Sequence, residues 1–488
     1  MVPRSPQTLI DSLWPTERIL VPTTFTTGSA PGRLPLVGHM WPLMRRPIDF
    51  LGSSSSRGDL VEIRLGRVPA YVPCHPELVR QVLTDDRTFD KGGPLYDRAR
   101  PIVGNGLGSC PHQDHRRQRR LVQPAFHRAR LKQYSAVMEG EIASLLASWQ
   151  DGQVIDAYPV FYDLALRTSI HTLFAGYAGE LDVDDFRNSF DTVLHHIVTQ
   201  MFLPQGLQRL PTRANRRYRS ALDHLNQSVA RIIADYRRSG ADHGDLMSIL
   251  IASPEAEEGV GLDDSEVHDQ IMSLLLAASE TMPACLSWAL YLLSLHPESS
   301  LRLHDEVSQV LGGRAASWED LESLTYTTRV ITETLRLYPP GWLFTRVTTR
   351  AIELAGTQLP PGTTVIFSPL PVHRRDDTYP DPHEFNPDRW LPEGMPHLPR
   401  GAFTSFGGGA RKCIGDSFAM TELTLALATI VQQWQADCTG DTDARAASLS
   451  VVYHPRRLLL RLTRRIPQPD RLAALASARS AMPADSVN

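Results

Sequence analysis

One cysteine lies in a setting that favours metal binding. Residues 406–415 read FGGGARKCIG, which places Cys413 where a predicted helix begins. Three consecutive glycines permit a sharp turn with positive φ and a close approach of the backbone to a flat ligand. The N–H groups and the dipole of a helix N-terminus stabilise a thiolate, which is a metal ligand. Arg411 could pair with an acidic group of the same ligand. The segment therefore favours a metal-bound thiolate over a glycine turn with an inert buried cysteine.

The pattern FxxGxRxCxG in this segment resembles the cysteine loop of the cytochrome P450 family, the haem-thiolate monooxygenases. The resemblance implies that Cys413 is the metal ligand, the axial thiolate of haem b iron. It also implies that the other motif positions contact the cofactor: Phe406, Gly409, Arg411 and Gly415.

Two further motifs precede the cysteine loop. The letters ETLR hold Glu333 and Arg336, which lie three residues apart and so share a helix face. The later letters PHEFNPDRW resemble the family's PxxFxPxRF segment, with Trp390 in place of the usual Phe. The resemblance implies a structural triad of Glu333, Arg336 and Arg389, which supports the irregular stretch before the cysteine loop.

The most apolar stretch of the chain carries the letters AASET near its centre. They resemble the family's oxygen-binding AGx(D/E)T element. The resemblance implies that Ala277 and Ala278 lie against the haem, and that Glu280 and Thr281 are the catalytic pair that delivers protons.

Pro283 gives an independent argument for the same region. A proline has no N–H, so the carbonyl of Ser279 loses its helical partner and a kink is expected at 279–283. The kink would leave room for water and dioxygen beside Thr281. Because Glu280 and Pro283 interrupt the stretch, we predict a buried helix rather than a membrane span.

Four basic positions match the family's haem-propionate partners. His115 and Arg119 lie four residues apart on one helix face and resemble the family's (W/H)xxxR pair. Arg346, six residues after Pro340, and Arg411 complete the set. The resemblance implies that these four side chains hold the propionates.

The resemblance extends over about residues 31–466 and implies a mainly α fold with small β-sheets, the cytochrome P450 fold. The haem would lie between the long central helix and the cysteine loop. We expect an N-terminal tail at 1–30, a catalytic domain at 31–466 and a C-terminal tail at 467–488. Five cysteines without CxxC spacing, and no recognisable signal segment, lead us to expect a cytoplasmic protein.

The implied reaction inserts one oxygen atom of O2 into a C–H bond of a hydrophobic small molecule. The sequence shows no flavin or iron–sulfur segment, so we expect two electrons from a ferredoxin and a ferredoxin reductase. The predicted docking face for the acidic ferredoxin is a group of basic residues: Arg116, Arg117, Arg119, Arg120, Arg411 and Lys412.

The chain is similar to actinobacterial terpenoid oxidases of this family, which favours a terpenoid of secondary metabolism as substrate. A fatty acid or another lipophile is the alternative. The predicted walls of the substrate pocket are apolar: Leu107, Val193, Ile197, Met201, Phe202, Leu343 and Phe344.

Two other patterns suggest different chemistry. Aspartates cluster at 85–90 and 182–185, and such clusters can bind magnesium and a diphosphate. A magnesium-dependent terpene cyclase is therefore the remote alternative, although solvated turns are the favoured interpretation. The letters GNGLG at 104–108 lack the spacing and the preceding strand of a dinucleotide loop.

The composition excludes a nucleic-acid-binding protein and a disordered chain. The chain has 488 residues, 42% of them apolar, and its 50 basic and 54 acidic residues leave a net charge of −4. A nucleic-acid binder usually has a strongly basic balance, and a disordered chain has low hydrophobicity with high net charge.

Periodicity predicts the elements that position these residues. We expect a β-hairpin at 59–74 and a long helix from Asp263 or Asp264 to Leu295. Other helices are predicted at 139–149, 229–237, 245–251, 318–337 and 415–434, and strands at 351–354 and 363–367.

Overall fold

The computed structural model describes residues 24–175, 183–202, 210–251, 261–393, 398–447 and 450–465. Residues 1–23 and 466–488, which belong to the two predicted tails, lie outside this part of the chain. Within the predicted N-terminal tail, the strand at Thr27–Ser29 pairs in parallel with a strand of the main sheet. The division into tails and one catalytic domain stays a prediction.

Helices form most of the described structure. They are α1 (Met40–Arg45), α2 (Pro47–Gly52), α3 (Pro76–Thr84), α4 (Pro94–Val103), α5 (His112–Val122), α6 (Arg128–Ala147), α7 (Ala157–Leu173), α8 (Val183–Phe202), α9 (Arg213–Ser239), α10 (Leu246–Ile251), α11 (Asp264–Leu295), α12 (Pro297–Leu311), α13 (Thr325–Leu337), α14 (Leu370–His373) and α15 (Asp416–Gln433).

The strands are β1 (Thr27–Ser29), β2 (Leu60–Leu65), β3 (Val68–Pro73), β4 (Phe89–Asp90), β5 (Val154–Asp156), β6 (Phe344–Thr348), β7 (Ile352–Leu354), β8 (Thr357–Leu359), β9 (Thr364–Phe367), β10 (Trp434–Cys438), β11 (Asp443–Ala446), β12 (Pro455–Arg457) and β13 (Leu459–Arg464). The largest sheet has the order β1-β2-β3-β9-β6-β4, and the others have the orders β10-β13-β5, β11-β12 and β7-β8. The predicted mainly α fold with small sheets is confirmed.

The long helix α11 crosses the centre of the fold, as its sequence predicts. Asp263 caps it through a capping box, in which its side chain accepts the Glu266 N–H and Glu266 binds back. Nearly every residue from Met282 to Leu293 is buried, and α7 packs along the helix. This helix is long and apolar enough to cross a membrane, but most of its apolar stretch is buried inside the protein. It continues without interruption through Pro283, and the predicted kink stays a prediction.

The other predicted elements are largely confirmed. The hairpin is β2 and β3, with antiparallel pairing from Leu60 to Pro73, and the predicted helices at 139–149, 229–237, 245–251 and 415–434 correspond to parts of α6, α9, α10 and α15.

The predicted helix at 318–337 begins too early, because Trp318–Asp320 is a separate 3₁₀ turn. The Glu306 carboxylate of α12 accepts the N–H groups of Tyr326 and Thr327 at 2.6 and 2.8 Å. A carboxylate from another helix thus accepts the first N–H groups of α13 and fixes where the helix begins. The sequence around residue 325 does not reveal this contact.

Candidate functional site

The cysteine loop is a tight turn that requires its glycines. The Cys413 N–H donates to the Phe406 carbonyl at 2.9 Å and closes the loop. Gly407 and Gly409 have φ values of +73° and +63°, and a Cβ at Gly409 would lie 2.3 Å from the Leu83 carbonyl oxygen of α3. Helix α15 then starts at Asp416, after Gly415 as its N-cap. Only glycine fits at position 409, which fixes the loop against α3.

Cys413 keeps accessible surface although it is surrounded by protein. Burial and the Asp416 carboxylate raise the pKa of its thiol to about 11, while the Gly415 N–H and the Arg119 and Lys412 charges act in the opposite direction. Without a bound metal the thiol is therefore protonated at neutral pH, and the Gly415 N–H at the helix terminus offsets only part of the effect of burial. A bound metal ion deprotonates a coordinating thiol outright. An accessible thiol inside the fold, held next to glycines, suits a metal in a flat cofactor.

Glu333 and Arg336 form an ion pair with no exposed side-chain surface. The Arg336 Nε and Nη2 atoms lie 2.8 and 2.7 Å from the two Glu333 carboxylate oxygens. Arg336 also donates to the carbonyl oxygens of His373, Pro382 and Glu384 at 2.9, 2.6 and 3.0 Å. A guanidinium has five N–H groups, and all five are used here.

The Glu333 carboxylate accepts three further hydrogen bonds. It accepts from Arg389 Nε at 3.2 Å, from the Asn386 backbone N–H at 3.1 Å and from Trp390 Nε1 at 2.9 Å. The structure thus brings the predicted triad together. Trp390, which departs from the family pattern, adds an indole N–H that phenylalanine does not have.

His373 connects this network to the cysteine loop, a role that sequence reasoning missed. Burial lowers the pKa of His373 to about 3, so the ring is neutral. Its Nδ1 lies 2.9 Å from the Arg336 carbonyl, and its Nε2 lies 3.0 Å from the backbone N of Thr404. The partners assign the tautomer: Nδ1–H donates and Nε2 accepts. The Ser405 hydroxyl donates to the Leu335 carbonyl at 2.8 Å, so the two consecutive residues just before the loop are tied to α13 and α14.

The central helix presents small and half-buried residues where the sequence predicts the oxygen-binding element. Ala277 is accessible, and Ala278, Glu280 and Thr281 are half-buried, whereas the positions that follow are buried. Accessible small residues on a helix inside the fold offer a surface on which a flat ring can lie. The Thr281 hydroxyl donates to the Ala277 carbonyl at 2.8 Å, which leaves its oxygen free to accept.

Tyr158 of α7 is a neighbour of Glu280 that the sequence does not indicate. Burial and the Glu280 carboxylate raise the pKa of Tyr158 well above its usual value. Burial and Asp191 raise the pKa of the adjacent Tyr162, whose ring centroid lies 6.4 Å from that of Tyr158. Both phenols stay protonated, so they can hold a proton beside Glu280.

The four predicted propionate partners lie in one basic region. His115, Arg346 and Arg411 are buried, and Arg119 is half-buried. Burial, followed by the charges of Arg411 and other basic neighbours, lowers the pKa of His115 to about 3. Arg119 Nη1 donates to the carbonyls of Ala410 and Lys412 at 3.2 and 2.7 Å, so it also ties α5 to the cysteine loop.

Lys91 is a further basic group at this site that sequence reasoning missed. Burial and the charges of Arg346 and Arg411 lower the pKa of Lys91 to about 7. Its Nζ donates to the Gly108 carbonyl at 2.6 Å. The region therefore holds more positive charge than its buried setting favours, and two carboxylates of a bound ligand would offset it. A cysteine, a flat surface and a basic cluster together fit haem with its two propionates.

Two residues of the predicted ferredoxin-docking face form ion pairs with acids of the same chain. Arg411 has 1% exposed side-chain surface and pairs with Asp86 and Asp90 at 3.2 and 3.1 Å, so it is not a surface charge. Arg117 pairs with Glu266, the residue that completes the capping box of α11. The assignment of Arg411 to the docking face is therefore wrong, because acids distant in sequence engage it inside the protein. Arg117 keeps 39% of its side chain exposed, and its place in the docking face stays a prediction. Arg116 and Arg120 remain exposed.

The features that suggested other chemistry have structural explanations. Asp86 and Asp90 serve as partners of Arg411, Asp182 lies outside the described residues, and the described residues contain no group of three metal-ligating side chains. The glycine loop at 104–108 packs on α11, where a Cβ at Gly104 would lie 1.9 Å from Asp269 Oδ1. Its glycines allow close contact with a helix rather than with a nucleotide.

The predicted pocket wall is described in part. Leu107 and Val193 are buried, and Leu343 and Phe344 are half-buried. The side chains of the other three predicted wall residues lie outside the described part: Ile197, Met201 and Phe202.

These features together define a haem-thiolate site on a mainly α scaffold, and the comparisons agree. The family description "Cytochrome P450" matches residues 29–461. The chain is 53% identical to pentalenene oxygenase of Streptomyces avermitilis, over 91% of this chain and 99% of the relative. It is 46% identical to cyclooctatin synthase of Streptomyces melanosporofaciens, over 88% of this chain and 94% of the relative.

A third relative is cyclooctat-9-en-7-ol 5-monooxygenase of Streptomyces melanosporofaciens, 44% identical over 88% of this chain and 93% of the relative. Among solved structures, the cytochrome P450DA heme domain aligns with a TM-score of 0.81 at 25% identity, covering 91% of this chain and 99% of that chain. The chain belongs to the cytochrome P450 family. It is a haem-thiolate monooxygenase, and its cofactor is haem held by a cysteine thiolate.

The extra donor from Trp390 gives a testable prediction. Trp390→Phe loses part of the ring system and the N–H that binds Glu333, so we expect the free energy of unfolding to fall by about 2 kcal/mol beyond the loss of packing. Denaturant titration of the holoprotein measures the change.

Trp434→Phe is the matched control. Trp434 is 1% exposed, and among the described residues its indole N–H has no acceptor. The same truncation therefore loses packing there but no hydrogen bond. Equal losses of stability in the two variants would show that the Trp390–Glu333 bond contributes nothing.

Proposed function

We propose that Cys413 supplies the haem thiolate, that Glu280 and Thr281 deliver protons, and that the substrate is a terpenoid. The observation that carries the proposal is the Cys413 thiol, accessible inside the fold on a loop that the buried Glu333 network anchors. The basic cluster of His115, Arg119, Arg346 and Arg411 supports the same assignment. When bound, thiolate-ligated haem supplies the chemistry that splits O2 and transfers one atom to a C–H bond.

The residues of the chain then have separate tasks. The small side chains of Ala277 and Ala278 let the helix lie close to the cofactor. Thr281 can accept a hydrogen bond at its hydroxyl oxygen, since its own proton is directed to the Ala277 carbonyl. Glu280 holds or releases a proton at its carboxylate, and the protonated phenol of Tyr158 lies beside it.

The described pocket wall favours a terpenoid over a fatty acid. Leu107, Val193, Leu343 and Phe344 are all apolar, and none of these four offers a partner for a carboxylate. Two relatives have names that state a substrate, which is pentalenene for one and cyclooctat-9-en-7-ol for the other. These substrates are a terpene hydrocarbon and a terpene alcohol. This protein would therefore catalyse the oxidation of an apolar terpenoid, in the cytoplasm.

The thiolate assignment is tested by the visible spectrum of the dithionite-reduced protein with carbon monoxide. Thiolate-ligated haem gives a strongly red-shifted Soret band, which we expect in the native protein and expect to be absent in Cys413→Ser. Cys438→Ser is the control, because Cys438 lies on β10 and its Sγ is 3.0 Å from Ser294 Oγ. Loss of the band in Cys438→Ser with retention in Cys413→Ser would contradict the assignment.

We also propose that electrons come from an acidic ferredoxin that docks at Arg116 and Arg120. These exposed arginines lie four residues apart on α5, and Arg119 between them reaches the carbonyls of the cysteine loop. Helix α5 thus connects a basic surface to the cysteine loop.

Reversing both charges, Arg116→Glu with Arg120→Glu, should lower the second-order rate of reduction by ferredoxin about tenfold at low salt and weaken its salt dependence. Stopped-flow reduction of the haem measures both. Arg238→Glu, at an exposed arginine of α9, serves as the control and should leave the rate unchanged. An unchanged rate and salt dependence in the double variant would refute this docking face.

A further inference from the structure

Large apolar side chains are exposed together at one place on the protein. We call residues 33–46 with Arg67 and Val68 the turn patch. Five of its side chains are exposed by 43–70% and belong to the most exposed large hydrophobics of the described chain: Leu34, Leu36, Val37, Trp41 and Val68. Single exposed apolar residues are normal on a protein surface, but a contiguous group marks an interaction site.

Backbone contacts hold the pieces of the patch together. Leu34 and Gly38 form an antiparallel bridge around the first turn, and Gly38 forms another with Leu65 at the end of β2. The Gly66 N–H donates to the Val37 carbonyl at 3.3 Å. The first turn therefore lies against the β2–β3 turn, which carries Val68, and α1 follows immediately with Trp41.

Leu36 occupies a backbone conformation that ordinarily belongs to glycine. Its φ is +64°, and its side chain is 70% exposed. A branched side chain in the left-handed region is strained, and such strain points to a functional constraint. Since Leu36 buries little of its side chain, packing does not explain why a leucine stands there.

Positive charge surrounds the apolar tips. Arg33, Arg45, Arg46 and Arg67 are exposed, and the Arg45 guanidinium lies 4.5 Å from the centroid of the Trp41 ring. Glu62 of β2 is engaged by Arg64 at 2.8 Å, and Asp49 of α2 is an exposed acid. The patch therefore combines insertable apolar tips with a cationic rim.

We propose that the turn patch docks on the surface of an anionic phospholipid bilayer. Leu36, Trp41 and Val68 would enter the boundary between headgroups and acyl chains, while the arginines contact lipid phosphates. Tryptophan and arginine side chains have an apolar body with a polar end, which suits this boundary. The apolar tips lie on turns and on a six-residue helix, so they project separately instead of forming the flat apolar face that a protein partner would cover.

The patch is coupled to the interior of the protein. Leu43 of α1 and Leu343, a predicted pocket-wall residue, pack against the same small core cluster of β2 and β3 residues. A membrane-bound patch would therefore place the rim of the substrate pocket close to the lipid. The docking proposal does not depend on the substrate being a terpenoid.

Vesicle co-sedimentation of the full-length holoprotein tests the proposal. We expect binding to vesicles of equimolar phosphatidylglycerol and phosphatidylcholine, and much weaker binding to phosphatidylcholine alone. Arg45→Gln with Arg46→Gln should weaken partitioning about 25-fold, at about fivefold for each arginine, and reduce its dependence on the anionic lipid.

Leu36→Gly separates docking from folding. Glycine relaxes the positive φ, so this variant should melt at a higher temperature but bind the anionic vesicles less well. Trp41→Gln should also bind less well, at least threefold. Leu301→Ser is the control, because Leu301 is 61% exposed on α12, outside the patch, and its binding should equal that of the native protein.

Three results would overturn the proposal. The first is no binding of the native protein to anionic vesicles at low salt. The second is native-like binding of Leu36→Gly and Trp41→Gln. The third is a dimer in vesicle-free solution that Leu36→Gly abolishes, since the patch would then bind a second copy of the chain. The reduced carbon monoxide spectrum, measured on every variant, reports separately whether the haem site is intact.

Discussion

The buried ion pair of Glu333 and Arg336 is the constraint on which the site depends. Moving two charges into a protein interior costs several kcal/mol for each ion, and the attraction between them offsets this only when every remaining donor and acceptor is satisfied. Here Arg336 uses all five N–H groups, and the Glu333 carboxylate accepts five hydrogen bonds. Removing one partner of such a pair costs about 3–5 kcal/mol, because the other charge is left buried.

The same pair organises chain segments that have little regular structure. Arg336 donates to the carbonyls of His373, Pro382 and Glu384, and Glu333 accepts from donors in residues 386–390. Through His373 the network reaches Thr404, just before the cysteine loop. The loop therefore depends on a charge pair in a helix some 70 residues earlier for its placement, and its glycines then set its local shape.

The basic cluster that would hold the haem propionates is not balanced in this way, because its positive charges outnumber the acids that pair with them. His115, Arg346 and Arg411 are buried and Lys91 is half-buried among them, and burial and mutual repulsion depress the pKa values of Lys91 and His115. Asp86 and Asp90 balance only part of this charge. The haem propionates would complete the balance, so cofactor binding and stability of this region should be linked.

Short motifs made the centre of the site predictable, because their residues are adjacent in sequence. Cys413, the Glu333–Arg336 pair and the AASET segment were found this way, and the fold followed from the family resemblance. What the sequence could not reveal depends on long-range contacts: Tyr158 beside Glu280, Lys91 among the propionate partners, and His373 below the cysteine loop. The burial of Arg411 is likewise not visible in the sequence, because its partners Asp86 and Asp90 are more than 300 residues away.

The Arg336 guanidinium, through its fork of hydrogen bonds, holds the cysteine loop in place. Amide hydrogen exchange in Arg336→Lys tests it most directly, because lysine keeps the charge but cannot form five planar bonds. We predict that the amides of Thr404 and Cys413 exchange at least tenfold faster than in the native protein, while those in the middle of α7 are unchanged. Native protection at Thr404 and Cys413 in this variant would contradict the account.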